Sequence, residues 1–208
     1  MPAWTCLYED RDLVAADKPA GLLAVPGRGE GGRDCLAARV AADVPDARVV
    51  HRLDQATSGV MVLGRGAAAQ RALSIAFAAR QVEKRYEAVV HGLVAEDAGT
   101  IDLPLSTDWP NRPRQQVDHA RGKPSQTRWR VLSRDTALQT TRLQLEPITG
   151  RSHQLRVHLQ ALGHPIVGDT LYAPPPHDAP RLLLHACELR LPHPRHGRTL
   201  VLTSALPF

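Results

Sequence analysis

Val49-Val50-His51-Arg52-Leu53-Asp54-Gln55-Ala56-Thr57-Ser58-Gly59-Val60-Met61-Val62-Leu63 sets a polar turn between two apolar, strand-like segments. Val, Met and Leu on either side suit pleated, buried backbone. Asp-x-x-Thr-Ser-Gly between them carries the residue types that turns favour. Asp54 is therefore displayed between strands. A plain turn also uses such an aspartate, to accept hydrogen bonds from nearby N–H groups, so this stretch alone assigns no chemistry.

Working outward, Cys6-Leu-Tyr-Glu-Asp10 and Asp12-Leu-Val-Ala-Ala16 read as short strands around a charged turn. Lys18-Pro-Ala-Gly21 then leads into Leu22-Leu-Ala-Val-Pro-Gly27, and Gly27 to Gly32 reads as a flexible surface loop. Asp34 to Ala42 reads as a short helix with Asp34 as its N-cap. On the other side, Ala-rich Ala67 to Arg80, with Leu73 and Phe77 four apart, predicts a helix. Lys84-Arg-Tyr-Glu-Ala-Val-Val90 returns to strand. Ile101 to Lys123, broken by Pro104, Pro110 and Pro113, reads as an irregular basic segment crossing between two lobes. Thr141 to Glu146 alternates with period two, as a half-buried strand does. Ser152 is placed to cap a helix carrying Leu155, Leu159 and Leu162, with Gly163 at its C′ position. Leu182 to Leu191 is a last apolar strand region. Grouped strands with few helices, without βαβ alternation, predict an α+β fold: a mostly antiparallel central sheet flanked by a few helices.

The 208 residues, 43% apolar and 23% charged, suit one domain over 1–208 with a substantial core. With 15 Gly and 17 Pro, collagen-like and low-complexity classes are excluded. No apolar run approaches the ~18–20 residues that span a bilayer. The first ten residues lack the basic and apolar regions of a secretory signal. Both features lead to the expectation of a cytoplasmic protein with no membrane partner. Cys6, Cys35 and Cys187 are scattered, with no Cys-x-x-Cys pair, so neither a zinc site nor a disulfide framework is expected.

The net charge is +5, and arginine supplies all the cations except Lys18, Lys84 and Lys123. Arginine enrichment also follows from GC-rich coding, so its placement matters more than its amount. Residues 1–50 carry eight acids against six bases. Between Trp109 and Arg134 there are seven bases and one acid, Asp118. Such clustering is the footprint of a polyanion partner. A second cationic segment, Gly150-Arg151-Ser152-His153-Gln154-Leu155-Arg156-Val157-His158-Leu159, opens a helix, whose free N–H groups suit an anion. Helical spacing places His153, Arg156 and Gln160 on a polar face, away from the leucines. A merely solvated face is the plainer reading of that pattern.

His51-Arg-Leu-Asp-x-x-Thr-Ser-Gly59, Lys84-Arg-Tyr86, Gly150-Arg-Ser-His-Gln-Leu-Arg-Val-His158 and Gly163-His-Pro-Ile-Val-Gly-Asp169 occur in that order. Together they resemble the RluA family of pseudouridine synthases, from about Leu13 to the C-terminus. Asp108-Trp-Pro-Asn-Arg-Pro113, Gly122-Lys-Pro-Ser-Gln-Thr127 and Pro180-Arg-Leu-Leu-Leu-His185 are similar to stretches of the family's dual-specificity rRNA and tRNA enzymes.

The resemblance implies a two-lobed catalytic core that isomerises uridine in RNA (23S rRNA and/or a tRNA anticodon stem-loop) without metal or cofactor, by flipping the base. It implies Asp54 as the catalytic aspartate, Arg156 as the arginine pairing with it, and Tyr86 as the ring against the target base. Arg52 corresponds to the residue that fills the space the flipped nucleotide vacates. Arg151, His153 and the 109–134 stretch are expected to touch RNA, and Asp169 to be architectural. With strand-like sequence beginning by Cys6, no S4-type module of the kind many relatives carry is expected, and selection is expected to fall to the catalytic domain. The expected partner is RNA, not DNA, and the expected state is a monomer. A non-catalytic RNA-binding protein would also explain the arginines, but gives no reason for Asp54 beside them. A glycoside hydrolase would need a second, suitably spaced carboxylate, which no motif ties to this cluster.

Overall fold

Leu13, Val14, Ala15 and Ala16 follow one another in β2 (Leu13–Lys18), and all four are fully buried. Successive strand side chains point to opposite faces, so an unbroken buried run needs cover on both sides. The computed structural model describes residues 4–27, 29, 32–176 and 179–208, and it shows that cover. The chain divides into two compact units, Met1–Lys84 with Ala186–Pro207, and Arg85–His185 with Phe208.

In the first unit, β1 (Thr5–Glu9) pairs antiparallel with β2, and β2 with β4 (Ser58–Arg65), in a register that sets Lys18 opposite Gly59. β3 (Ala47–Val49) also pairs with β4. α2 (Gly66–Ala78) covers one face, where Leu73 and Ala76 pack with Leu13, Ala15, Val60 and Val62. α1 (Leu36–Asp43) covers the other, where Leu36 and Val40 pack with Val14, Ala16, Met61 and Leu63.

The expected Asp34 cap is corrected. α1 starts at Leu36 with Cys35 as N-cap, its Sγ accepting from the Ala38 N–H at 3.4 Å. A bridge between Cys35 and Leu23 holds Cys35 extended. The Asp34 carboxylate instead takes both guanidinium edges of Arg39, at 2.8 and 2.7 Å. Of the expected 27–32 loop, residues 28, 30 and 31 lie outside the described residues.

The second unit has the order β5 (Glu83–His91, of which 85–91 belong to it), β10 (Thr140–Pro147), β9 (Gln126–Asp135), β6 (Ala98–Asp102), every pair antiparallel. β10 is followed by α3 (Gln154–Ala161). The expected irregular crossing over 101–123 is replaced by an ordered hairpin of β7 (Leu105–Thr107) and β8 (Gln115–Val117). That segment lies wholly in the second unit. Its prolines fall outside β7 and β8, in the flanks and the tip, so no ladder bond is lost.

α3 also departs from its expected start. Ser152 is not the cap; His153 is, in the left-handed region at φ 53. The side chain of Gln154 turns back instead, its Oε1 accepting from the Arg151 N–H (3.0 Å) and from Thr149 Oγ1 (2.7 Å). At the other end Gly163 sits at C′ with φ 88, as expected.

The first unit continues with β11 (Leu184–Pro192), of which 186–192 belong to it, and β12 (Thr199–Thr203), paired antiparallel. Gly59 (φ 115) is the second residue of β4, and a Cβ there would strike the backbone of Ala186. Gly59→Ala is expected to cost at least about 3 kcal/mol through both strain and collision. Gly163→Ala, left-handed but surrounded by open space, should cost only about 1 kcal/mol. Urea midpoints of the two variants check the difference, with m unchanged.

Candidate active site

Asp54 sits half-buried in the turn between β3 and β4, with its carbonyl accepting from the Thr57 N–H at 3.1 Å. Leu53 before it and Thr57, Ser58 and Gly59 after it are buried. The turn is anchored from β2. Lys18 is fully buried, and its Nζ donates to the carbonyls of Pro19 (2.9 Å), Leu22 (2.7 Å) and Gln55 (3.0 Å). Gln55 also clamps Gly21 from both sides, its carbonyl accepting from the Gly21 N–H and its amide donating to the Gly21 carbonyl. A buried ammonium is tolerable only when its donors are met, so the 18–22 segment and the Asp54 turn cannot separate cheaply. Local sequence does not assign Lys18 to this turn. Its signals are its place as one of three lysines and its position at a strand end before Pro-Ala-Gly.

His51 supports the turn from the other end. Its ring stacks on Phe77 of α2 (4.5 Å between centroids), and its Nε2 accepts from the Val62 N–H at 3.0 Å. Burial, with the Lys84 cation as a smaller cause, pushes its pKa down to about 3. The ring is therefore neutral, with its proton on Nδ1. Lys84 is lowered in turn, by burial and then by Arg80. Arg52, between His51 and Leu53, is exposed.

In the second unit, Arg156 is only 4% exposed. Its Nε and Nη2 donate to the two oxygens of fully buried Asp169, at 2.7 and 2.6 Å. Asp169 also accepts from the N–H groups of Leu171 (3.0 Å) and Tyr172 (3.1 Å). The fork geometry suits guanidinium and no other cation. The expected polar face of α3 is thus corrected: every residue from Gln154 to Leu159 is buried, and of the three polar-face residues only Gln160 is exposed. Periodicity cannot reveal a buried cation whose counter-ion lies 13 residues away.

Tyr172, absent from the sequence reading, ties this region together. Its hydroxyl accepts from the Gln115 N–H of β8 and meets His153 Nδ1, both at 2.7 Å. Arg156 and Arg114 lie over its ring at 5.0 and 5.4 Å. Burial, the larger cause, raises its pKa. His153 thus braces the start of α3. His158 is fully buried: its Nε2 bonds the Leu103 carbonyl (3.0 Å) and its Nδ1 Thr127 Oγ1 (2.9 Å). Because a carbonyl only accepts, the proton is on Nε2, and burial lowers the pKa of the neutral ring.

Tyr86 lies on β5 opposite Leu145 of β10, half-buried on the face that Leu145 and Trp129 share. Arg151 is exposed, with a long Nε contact of 3.4 Å to the Pro124 carbonyl. Of the basic stretch, Arg112, Arg121, Lys123, Arg128, Arg130 and Arg134 are exposed and Arg114 half-buried. The site residues fall into two sets: Arg52 and Asp54 in the first unit, and Tyr86, Arg151, His153 and Arg156 in the second. Within the second set, His153 and Arg156 meet at Tyr172.

Asp10, Asp12 and His193 lie close enough together to hold a cation, but protein groups already engage them. His193 Nε2 donates to Asp10 (2.8 Å), while Arg195 grips Asp12 through two nitrogens. Burial works to raise the Asp10 carboxyl. Hydrogen bonds from His193, the N–H groups of Asp12 and Leu13, and Tyr8 outweigh it and hold Asp10 below the usual carboxylate range. The cluster is an ion-pair network that closes the β1–β2 hairpin.

Residues 12–161 match the sequence profile of the RNA pseudouridylate synthase family. The dual-specificity RNA pseudouridine synthase RluA of Yersinia pestis is 51% identical over 193 residues, covering 92% of this chain and 93% of that protein. The protein of the same name from Escherichia coli (strain K12) is 48% identical over 209 residues, covering 100% and 95%. Among solved structures, human RNA pseudouridylate synthase domain containing 1 superposes with a TM-score of 0.84 at 29% identity, covering 99% of this chain and 84% of that one. The chain belongs to the RNA pseudouridylate synthase family, in its RluA branch. It is an isomerase acting on RNA, and a non-catalytic RNA-binding role is not favoured.

Asp169→Asn removes the counter-charge from a buried guanidinium and is expected to cost about 3–5 kcal/mol of stability, read from denaturant unfolding. For His51, the folded pKa lies below the unfolded one, so the unfolded chain binds the extra proton first as pH falls. Its contribution is complete above about pH 6.5 and is lost toward pH 3, at up to about 1.4 kcal/mol per pH unit. Stability measured against pH should therefore fall across that window, and less steeply in His51→Gln.

Proposed function

We propose that this chain isomerises uridine to pseudouridine in two RNAs, a 23S rRNA hairpin and a tRNA anticodon stem-loop, as a cytoplasmic monomer. The dual substrate reading rests on relatives about half identical over nearly their whole length and named for dual specificity. The catalytic reading is carried by one observation: Asp54 is displayed, half-buried, on a turn whose Gln55 carbonyl is held by the buried Lys18 ammonium.

The reaction breaks the C1′–N1 bond, turns the base, and forms a C1′–C5 bond. The N1 position gains a proton and C5 loses one, so no electrons are exchanged with any other molecule. Asp54 is the group that acts on the sugar or the base: by attack on C1′, by abstracting a sugar proton on a glycal route, or by addition at C6. Each route needs the carboxylate ionised. Arg156 is the proposed cation favouring that form, and its bidentate grip on Asp169 supports a fixed position for it. Tyr86 is the ring against the uracil, with its hydroxyl available for loss of the C5 proton. Arg52 replaces the flipped nucleotide and so offsets the few kcal/mol lost on unstacking it. Arg151 and His153 are assigned to the RNA backbone.

Release of tritium from RNA labelled at uridine C5 tests the reading with both stem-loops. Wild-type protein is expected to release it from each, and Asp54→Asn from neither at a rate above background. Equal release by Asp54→Asn would remove Asp54 from its role. Arg156→Lys keeps the charge but not the fork, so it is expected to lose single-turnover rate by more than RNA affinity. A pure affinity defect would contradict the role given to Arg156.

A further inference from the structure

The tip of the β7–β8 hairpin carries a feature that the reaction does not use. Trp109 is 68% exposed and is the one aromatic among the large apolar side chains left to solvent in the described residues. The guanidinium of Arg112 lies over its ring, 4.6 Å from the centroid. One face of the indole thus meets a planar cation, and its exposure leaves the rest to water.

This tip is built rather than loose. The Asp108 N–H donates to the Arg114 carbonyl and the Arg114 N–H to the Asn111 carbonyl, both at 3.0 Å. The Asn111 amide donates to both oxygens of Asp108, at 3.1 and 3.0 Å. Below the tip, the Gln115 N–H is bound by the buried Tyr172 hydroxyl, which also holds His153 at the start of α3. A rigid support for an indole that buries little apolar area does not serve the core.

The surroundings identify the missing partner. Arg112, Arg114, Arg121 and Lys123 leave the hairpin strongly cationic. The two acids among them are engaged within the hairpin: Asp108 by the Asn111 amide, and Asp118 by Ser106 Oγ and the N–H groups of Ala120 and Arg121. A ligand with a flat π-face and negative charge fits this combination, as an unpaired nucleotide does. A protein surface would need a wider apolar patch than a single ring.

We infer that Trp109 and Arg112 form a stacking platform for one unpaired base of the RNA substrate, separate from the uridine being isomerised, and so help select the RNA. The inference rests on the RNA-modifying reading above. The target base is unsuited to this place, because a ring so exposed cannot exclude water from a breaking glycosidic bond.

Trp109→Ala is expected to raise KM for the stem-loop by roughly tenfold or more, with kcat and thermal stability unchanged. Trp109→Phe, which keeps a ring, should recover most of that loss. Arg112→Ala should reduce the salt dependence of binding by about one phosphate, whereas Trp109→Ala leaves the salt dependence as it was. Indole emission of Trp4→Phe protein, which keeps the exposed Trp109 and the buried Trp129, should be quenched by saturating stem-loop more strongly than that of the same protein carrying Trp109→Ala as well. Stem-loops made abasic at one position at a time should reveal one position whose loss is not additive with Trp109→Ala.

An unchanged KM in Trp109→Ala, or an unquenched indole at saturation, overturns the platform and leaves the reaction standing. If wild-type protein released no tritium from any stem-loop, the RNA-modifying reading would fall instead, while the emission and abasic measurements would still decide the platform.

Discussion

A cation buried in protein must find acceptors for its donors, because their hydration is lost and a folded chain has few kcal/mol to spare. Among the described residues, Lys18 in the first unit and Arg156 in the second are such cations. Lys18 meets three backbone carbonyls, and through the one on Gln55 it fixes the turn that displays Asp54. Arg156 meets both oxygens of Asp169 in a two-point contact that sets its plane as well as its position. Neither arrangement tolerates a small displacement, since a shift that breaks one contact leaves charge unsolvated.

The second cation reaches beyond its own helix. Asp169 receives the N–H of Tyr172, whose ring lies under Arg156 and whose hydroxyl joins β8 to the start of α3. Gln154 works in parallel: its Oε1 gathers Thr149 and Arg151, and its Nε2 the Gln126 carbonyl and Thr127. The Gly-Arg-Ser-His-Gln-Leu-Arg motif is therefore not a row of ligands on a wet surface. Its glutamine and last arginine build the frame, its histidine braces it, and of its charged residues Arg151 alone is exposed.

Local signals in the chain carried much of the secondary structure. Leu73 and Phe77 marked α2, the Thr141–Glu146 alternation marked β10, and Gly163 marked the end of α3. Signals that depend on competition for a partner went astray. Asp34 has the chemistry of a cap, but Arg39 offers its carboxylate two charged donors. Ser152 has it too, but the left-handed turn at His153 starts the helix one residue later, and Gln154 reaches back to the Arg151 N–H. Pro104, Pro110 and Pro113 suggested irregular chain, yet they flank the short strands of the hairpin and leave its pairing intact.

By itself the sequence determined the α+β class, the order of the motifs, and the family to which they belong. Those follow from local preference and from the chemistry of side chains, both of which are written residue by residue. Tertiary structure decided that Lys18 holds the Asp54 turn, that Arg156 is buried against Asp169, and that Tyr172 joins hairpin to helix. Each of those contacts links residues between 13 and 57 positions apart. Burial gives such pairs their energy, and burial exists only after the chain has folded.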